Sequence, residues 1–183
     1  LGDQIGMILD DVSSPIEVSI SQFYGIEIND FAVSVAKTAL WIAEEQMMDA
    51  TSEILLQPSD FLPLKSNGNI HEGNALRMDW NDVLPVNSSL SLSLSDLQLD
   101  GGVAFGSTFI VGNPPFLGYS NLSKEQSEDR AFLFGKVKTV DYVACWYKMA
   151  AAYMKDTHIR AALVSTNSIC QGQQVEPLWK PLF

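Results

Sequence analysis

The sequence predicts an α/β fold with a mostly parallel sheet. Two observations carry this. Short runs rich in β-branched and aromatic residues alternate with longer stretches of helical periodicity. Each run also stops at a polar or turn-forming cluster: Glu27-Ile28-Asn29, Gly73-Asn74, Asn113-Pro114-Pro115 and Thr166-Asn167-Ser168. Four strand candidates result. The 183 residues suffice for one domain with a real core, and 46% hydrophobic with 18% charged residues is an ordinary globular composition.

Residues 1–20 are weakly patterned, with Ile5, Met7, Ile8 and Leu9 able to end a helix before the break at Ser13-Ser14-Pro15. Val18 to Ile28 reads as the first strand, from its β-branched and aromatic residues. Asn29 or Asp30 then caps a helix from Phe31 to about Met48, in which Ala32, Val35, Ala36, Ala39, Leu40, Ala43 and Met47 recur at helical spacing. Pro58, Pro63 and Gly68 mark residues 49–68 as a loop. Asn69 to Met78 reads as a short strand turning at Gly73-Asn74.

Residues 79–108 are irregular. Within them 87–99 alternate Ser and Leu, either a half-buried strand or a mobile loop, and 88–102 is assigned as an insertion or mobile loop. Phe109-Ile110-Val111 is a buried strand that must stop at Pro114-Pro115, because proline lacks an N–H and has a fixed φ. Ser123-Lys124-Glu125-Gln126 matches a capping box for a helix over 124–134, with Gly135 at its C-terminal end. A further helix over 140–154 shows Val140, Val143, Tyr147, Ala150, Ala151 and Met154 on one face. Arg160 to Ser165 is another buried strand, and Gln171 to Phe183 begins a helix or turn.

The net charge of −11 has the wrong sign for a surface that grips nucleic acid by its phosphates, so any DNA contact is expected through other segments. No apolar run approaches a membrane span, and no basic, apolar leader opens the chain, so a cytoplasmic location is expected. Cys145 and Cys170 sit in apolar patterns without a CxxC pair and read as buried free thiols. His71 and His158 lack ligand spacing, and no metal is expected.

Three strand ends carry groups with chemical potential. Glu27, between a strand and a helix, is placed to accept hydrogen bonds from the two hydroxyls of a ribose; a solvated strand-end acid is the plain alternative. The Asn74 amide offers a donor and an acceptor to a base edge, or simply stabilises its own turn. Asn113-Pro114-Pro115-Phe116 is the most specific. An exocyclic amine on an aromatic base is a poor nucleophile because its lone pair is delocalised. The Asn113 side-chain oxygen and the Pro114 carbonyl could accept its two protons and free that lone pair. Pro115 stiffens the turn, and Phe116 offers a stacking face. A rigid turn with a packed phenylalanine is the alternative.

In longer stretches, QFYGIEINDFAVSVAKTALWIAEEQM, NIHEGNALRMDW, VGNPPFLG, VDYVACWYKMAAAYM and IRAALVSTNSICQGQQV, the chain resembles class I S-adenosylmethionine-dependent adenine-specific DNA methyltransferases of the MmeI-like (Type IIL) restriction–modification family. The resemblance implies a Rossmann-like methyltransferase fold, mostly parallel and flanked by helices. It implies S-adenosyl-L-methionine as cofactor and methyl transfer to the exocyclic amine of an adenine flipped out of double-stranded DNA. Glu27 would bind the cofactor ribose and Ile28 its adenine, with Asn74 and Ala75 at the adenine edge. Asn113, Pro114, Pro115 and Phe116 would hold the target base, and Thr166 and Asn167 would lie beside the mouth of the site.

Departures from the family pattern predict a partial catalytic domain over 1–183. Residues 1–22 contain Gly2 and Gly6 but no DxxxGxG-like first motif, Leu1 is not a methionine, and no target-recognition domain or D…ExK nuclease motif is found. A missing first-motif strand would leave unpaired backbone in the sheet, to be closed by direct pairing of the Glu27 and Asn113 strands, repaired in a homodimer, or filled by a segment such as 88–99. The competing expectations are a non-catalytic fragment, or a methyltransferase acting on RNA or on protein glutamine.

Overall fold

The structure, a computed structural model, describes residues 18–55, 69–84 and 108–182. The segment 88–102 and the search for a first motif in 1–17 fall outside the described residues. The chain divides into two units, Leu1–Ala75 and Leu76–Phe183.

The first unit is built around strand β1 (Tyr24–Glu27), helix α1 (Asp30–Leu55) and strand β2 (Asn69–Glu72). β1 is shorter than the strand expected from Val18. Ser19 and Gln22 form a reciprocal capping box that turns Ile20–Gln22 into a 3₁₀ helix, and these side-chain bonds outweigh the β-branched pattern. Asn29 caps α1, its side-chain oxygen accepting from the Ala32 N–H at 3.0 Å. α1 runs to Leu55 rather than Met48, because nothing before Pro58 breaks the helix. β1 and β2 pair in parallel, Tyr24 opposite Asn69 and Glu27 opposite Glu72. A parallel pair needs a long crossover, and α1 supplies most of it.

α1 is apolar on more than one side. Val33 is buried, but Val35, Ala39, Ala43 and Met47 of the expected stripe are exposed, as are Phe31 and Ile42. A two-stranded sheet is too narrow to cover more than one strip of a helix. Phe31, Val35, Ala39 and Ile42 instead line an open groove with Ser34 and Thr38.

The second unit comprises α2 (Trp80–Val83), β3 (Phe109–Gly112), α3 (Lys124–Phe134), α4 (Ala144–Met154), β4 (Arg160–Leu163) and α5 (Val175–Trp179). β3 and β4 are parallel, Phe109 opposite Arg160 and Gly112 opposite Leu163. The capping box at Ser123 and Gln126 is present, and α3 ends at Gly135, whose φ of 60° and ψ of −122° suit glycine. α4 starts four residues later than its periodicity indicates. The N–H groups of Asp141 and Tyr142 bond to the Gln174 side chain and the Leu117 carbonyl, and the Asp141, Tyr142 and Val143 carbonyls accept from the N–H three residues on rather than four, a tighter turn that precedes the α-helix.

The core of this unit lies among the helices, with Leu76, Phe134, Val140, Val143, Cys145, Ile169 and Leu178 buried together. The two strands are less buried than expected. Phe109 and Val111 point to an open face, Val111 being 77% exposed, and Arg160, Ala161 and Ala162 are exposed as well. Among the described residues each sheet has two strands.

One buried carboxylate organises the helical core. Asp129, 4% exposed, accepts from Arg77 Nε at 2.6 Å and from the Tyr142 hydroxyl at 2.8 Å. Arg77 also lies over the Phe132 ring, 4.6 Å from its centroid. Asp129→Ala is expected to cost about 3 kcal/mol in a denaturant titration, because it strands a buried hydroxyl and a cation. Arg77→Ala, with its side chain partly in water, is expected to cost about 1 kcal/mol.

Candidate active site

Both units place polar groups at the carboxyl ends of parallel strands, where α/β folds present ligands. In the first unit Glu27 ends β1, and its backbone carbonyl accepts from the Gly73 N–H at 2.8 Å. That bond brings Ile28 and the Gly73-Asn74-Ala75 turn to one edge. The Glu27 carboxylate is aimed by its neighbour: Oε1 accepts from the Asn29 N–H at 3.0 Å. Ile28 is 69% exposed beside it. A carboxylate oxygen next to an open aliphatic face is a fitting pair of contacts for a nucleoside, one for hydroxyls and one for a ring.

In the second unit β3 ends at Gly112, and the turn Asn113–Phe116 follows without regular structure. The turn is held on both sides. Upstream, the Gly112 carbonyl accepts from the Val164 N–H at 2.9 Å; downstream, the Leu117 carbonyl accepts from the Tyr142 N–H at 2.8 Å. Pro114 is buried while Asn113, Pro115 and Phe116 are exposed, the Phe116 ring at 47%. Neither the Asn113 amide nor the Pro114 carbonyl makes a hydrogen bond to a described residue. The braced turn thus carries two acceptors without partners among the described residues, on exposed Asn113 and buried Pro114, and an exposed aromatic ring.

The end of β4 lies alongside, since β3 and β4 are parallel and in register. There the Tyr147 hydroxyl meets the Leu163 carbonyl at 3.0 Å and the Ser165 hydroxyl at 3.1 Å. Thr166 and Asn167 are exposed where the strand gives way to a 3₁₀ turn.

Residues 4–183 match the family described as MmeI, DNA-methyltransferase domain. The chain belongs to this family. It is 41% identical over 170 residues to DNA methyltransferase A of Bacillus subtilis (strain 168), covering 91% of this chain and 18% of the relative. It also matches a solved structure of the Type IIL restriction–modification enzyme MmeI in complex with DNA, with a TM-score of 0.76 and 39% identity over 91% of this chain and 20% of that one. The chain thus spans about a fifth of the length of these two relatives. The family is the one its motifs resemble.

Sequence reasoning missed the supports of the turn. Asp141 and Arg130 were not singled out in the sequence, yet Arg130 is buried and donates to the Tyr119 and Lys138 carbonyls. The available signal was the charge itself: Asp141 interrupts the apolar run Val140, Tyr142, Val143. Among the described residues no group of His, Cys, Asp or Glu is arranged to hold a metal, and no helix is long and apolar enough to cross a membrane.

The cysteines differ, against the expectation that both are buried. Cys145 lies in the core, but Cys170 is exposed because it closes a 3₁₀ turn whose inward residue is Ile169. Burial pushes the Cys145 thiol up to about 12, with the Asp129 charge adding to it. Burial and Asp129 likewise raise the Tyr142 phenol. A thiol reagent is therefore expected to label Cys170 in the folded chain and Cys145 only after unfolding. Below the ordinary thiol pKa of 9.0 both states keep the Cys145 proton. Above it the unfolded chain releases a proton that the folded chain retains, so stability should fall between pH 9 and 12. Cys145→Ala should make that fall shallower in a pH series of unfolding midpoints, the raised Tyr142 phenol keeping its own share above pH 10.

Proposed function

We propose that this chain is the catalytic core of an adenine-specific DNA methyltransferase of a restriction–modification system, acting in the cytoplasm on double-stranded DNA. The observation that carries the reading is the braced turn at the end of β3. It presents the Asn113 amide oxygen and the Pro114 carbonyl, without partners among the described residues, beside an exposed Phe116 ring. An adenine stacked on Phe116 would direct its exocyclic amine at both acceptors, a contact typically worth about 1–3 kcal/mol from stacking alone.

S-adenosyl-L-methionine supplies an electrophilic methyl group on a sulfonium. Glu27 and Ile28 would hold its ribose and adenine, and the turn bearing Asn74 and Ala75 lies on the same edge as these two. The residues of the β3 turn act on the other reactant. The Asn113 amide oxygen and the Pro114 carbonyl would accept hydrogen bonds from the two amine N–H groups, which favours a pyramidal nitrogen whose lone pair is less shared with the ring. Methyl transfer from a bound donor would leave the amine cationic and acidic, and Asn113 and Pro114 would hold it by hydrogen bonds while water takes the released proton. Positioning and electrostatics carry the step, and no strong base is needed. The base must leave the helix to reach the turn. The acidic charge of the chain leaves phosphate contacts to other parts of the protein.

In the intact enzyme, with labelled cofactor and duplex DNA, Asn113→Ala is expected to lower the transfer rate at least about 100-fold while leaving the unfolding midpoint near its original value. Glu27→Ala is expected to raise KM for S-adenosyl-L-methionine about 10- to 100-fold, the loss of hydrogen bonds to a charged group. Label appearing on RNA or on protein glutamine and not on adenine would overturn the substrate assignment.

A further inference from the structure

We infer that Asp141 is a positioning residue for the target base. Its carboxylate ties the chain leaving the Asn113–Phe116 turn to the segment that follows β4. This rests on the methyltransferase reading of that turn.

The argument starts from the contacts. Asp141 Oδ1 accepts from the Tyr119 N–H at 3.0 Å. Oδ2 accepts from the Ser168 hydroxyl at 2.8 Å and from Gln174 Nε2 at 2.9 Å. The Asp141 N–H returns a bond to Gln174 Oε1 at 3.0 Å, so the two residues are locked reciprocally. Gln174 is itself buried. One carboxylate thus gathers three donors from two segments that are far apart in sequence and that flank the carboxyl ends of β3 and β4.

The tie closes on the turn. With Tyr142 N–H on the Leu117 carbonyl and Asp141 on the Tyr119 N–H, residues 117–119 are bridged to residues 141–142 along their length. Arg130 Nη1 donates to the Tyr119 carbonyl at 3.3 Å, so that residue is gripped at both its N–H and its carbonyl. Only the four residues 113–116 lie between this clamp and the Val164 bond to Gly112. Loops are ordinarily the mobile part of a fold. Two acceptors that must meet two amine protons at once cannot tolerate that mobility, since displacements near 1 Å cost about 100-fold in rate. A carboxylate suits the task because it can accept several bonds and donates none.

The chemistry also predicts a rescue. Asp141→Asn keeps an oxygen for Tyr119 but sets an NH₂ group against Gln174 Nε2, donor against donor. Adding Gln174→Glu restores an acceptor there, for both the new side-chain amide at position 141 and the backbone N–H of the same position, and returns the negative charge.

The test uses the intact enzyme in steady-state DNA methylation, with Asn113→Ala alongside. Asp141→Asn is expected to lower kcat about 10- to 100-fold with KM for S-adenosyl-L-methionine within about twofold. Asp141→Asn with Gln174→Glu is expected to recover most of kcat. Ser168→Ala, which removes one donor and no charge, covers the case in which Asp141→Asn does not fold; it should lower kcat several-fold at unchanged cofactor KM. A kcat unchanged in Asp141→Asn, or in Ser168→Ala where that variant stands in, overturns the proposal, as does a loss that Gln174→Glu fails to repair. An active Asn113→Ala enzyme would instead overturn the reading of the turn itself.

Discussion

The peptide from Asn113 to Phe116 hangs between two backbone hydrogen bonds, Val164 N–H to the Gly112 carbonyl and Tyr142 N–H to the Leu117 carbonyl. Much of the second unit follows from this constraint. The first bond requires β4 to lie parallel to β3 and in register, which in turn requires a crossover built from α3 and α4. The second fixes the chain just ahead of α4, whose entry turn is tightened by N–H groups bonded to carbonyls three residues back. Prolines at 114 and 115 remove two N–H groups that would otherwise need partners in the turn.

Support for the turn is electrostatic as well as steric. Asp129 and Asp141 each accept from several donors, and Arg130 commits a hydrogen bond to a loop carbonyl. Asp129 joins Arg77 to Tyr142, whose N–H holds Leu117, so the core of the unit and the candidate site share one residue. Such polar networks are costly when incomplete, which makes them rigid when complete.

The first unit follows the same plan with less cover. Glu27 is fixed by its own backbone neighbour, Asn29, and by the pairing of β1 with β2. Parallel sheets usually have both faces covered. Here, among the described residues, a two-stranded sheet meets a 26-residue helix, and apolar residues of α1 are exposed.

The elements and the family were legible in the residues alone. Capping residues at Asn29 and Ser123, the prolines after β3 and the 3.6-residue periodicity over 140–154 are local signals, and local interactions carried them into the structure, the last as a helix from Ala144 only. Glu27, Asn74 and Asn113 were legible as strand-end residues too, because a strand end shows wherever apolar residues give way to turn formers. Long-range pairing settled the rest. The anchoring of the chain just before α4 depends on bonds to Leu117 and Gln174, both distant in sequence. The roles of Asp141 and Arg130 as braces arise from the same kind of pairing. The exposure of Val111, Cys170 and the outer face of α1 was hidden for a related reason: an apolar pattern records which side of an element can be buried, and only the packing of its neighbours decides whether it is.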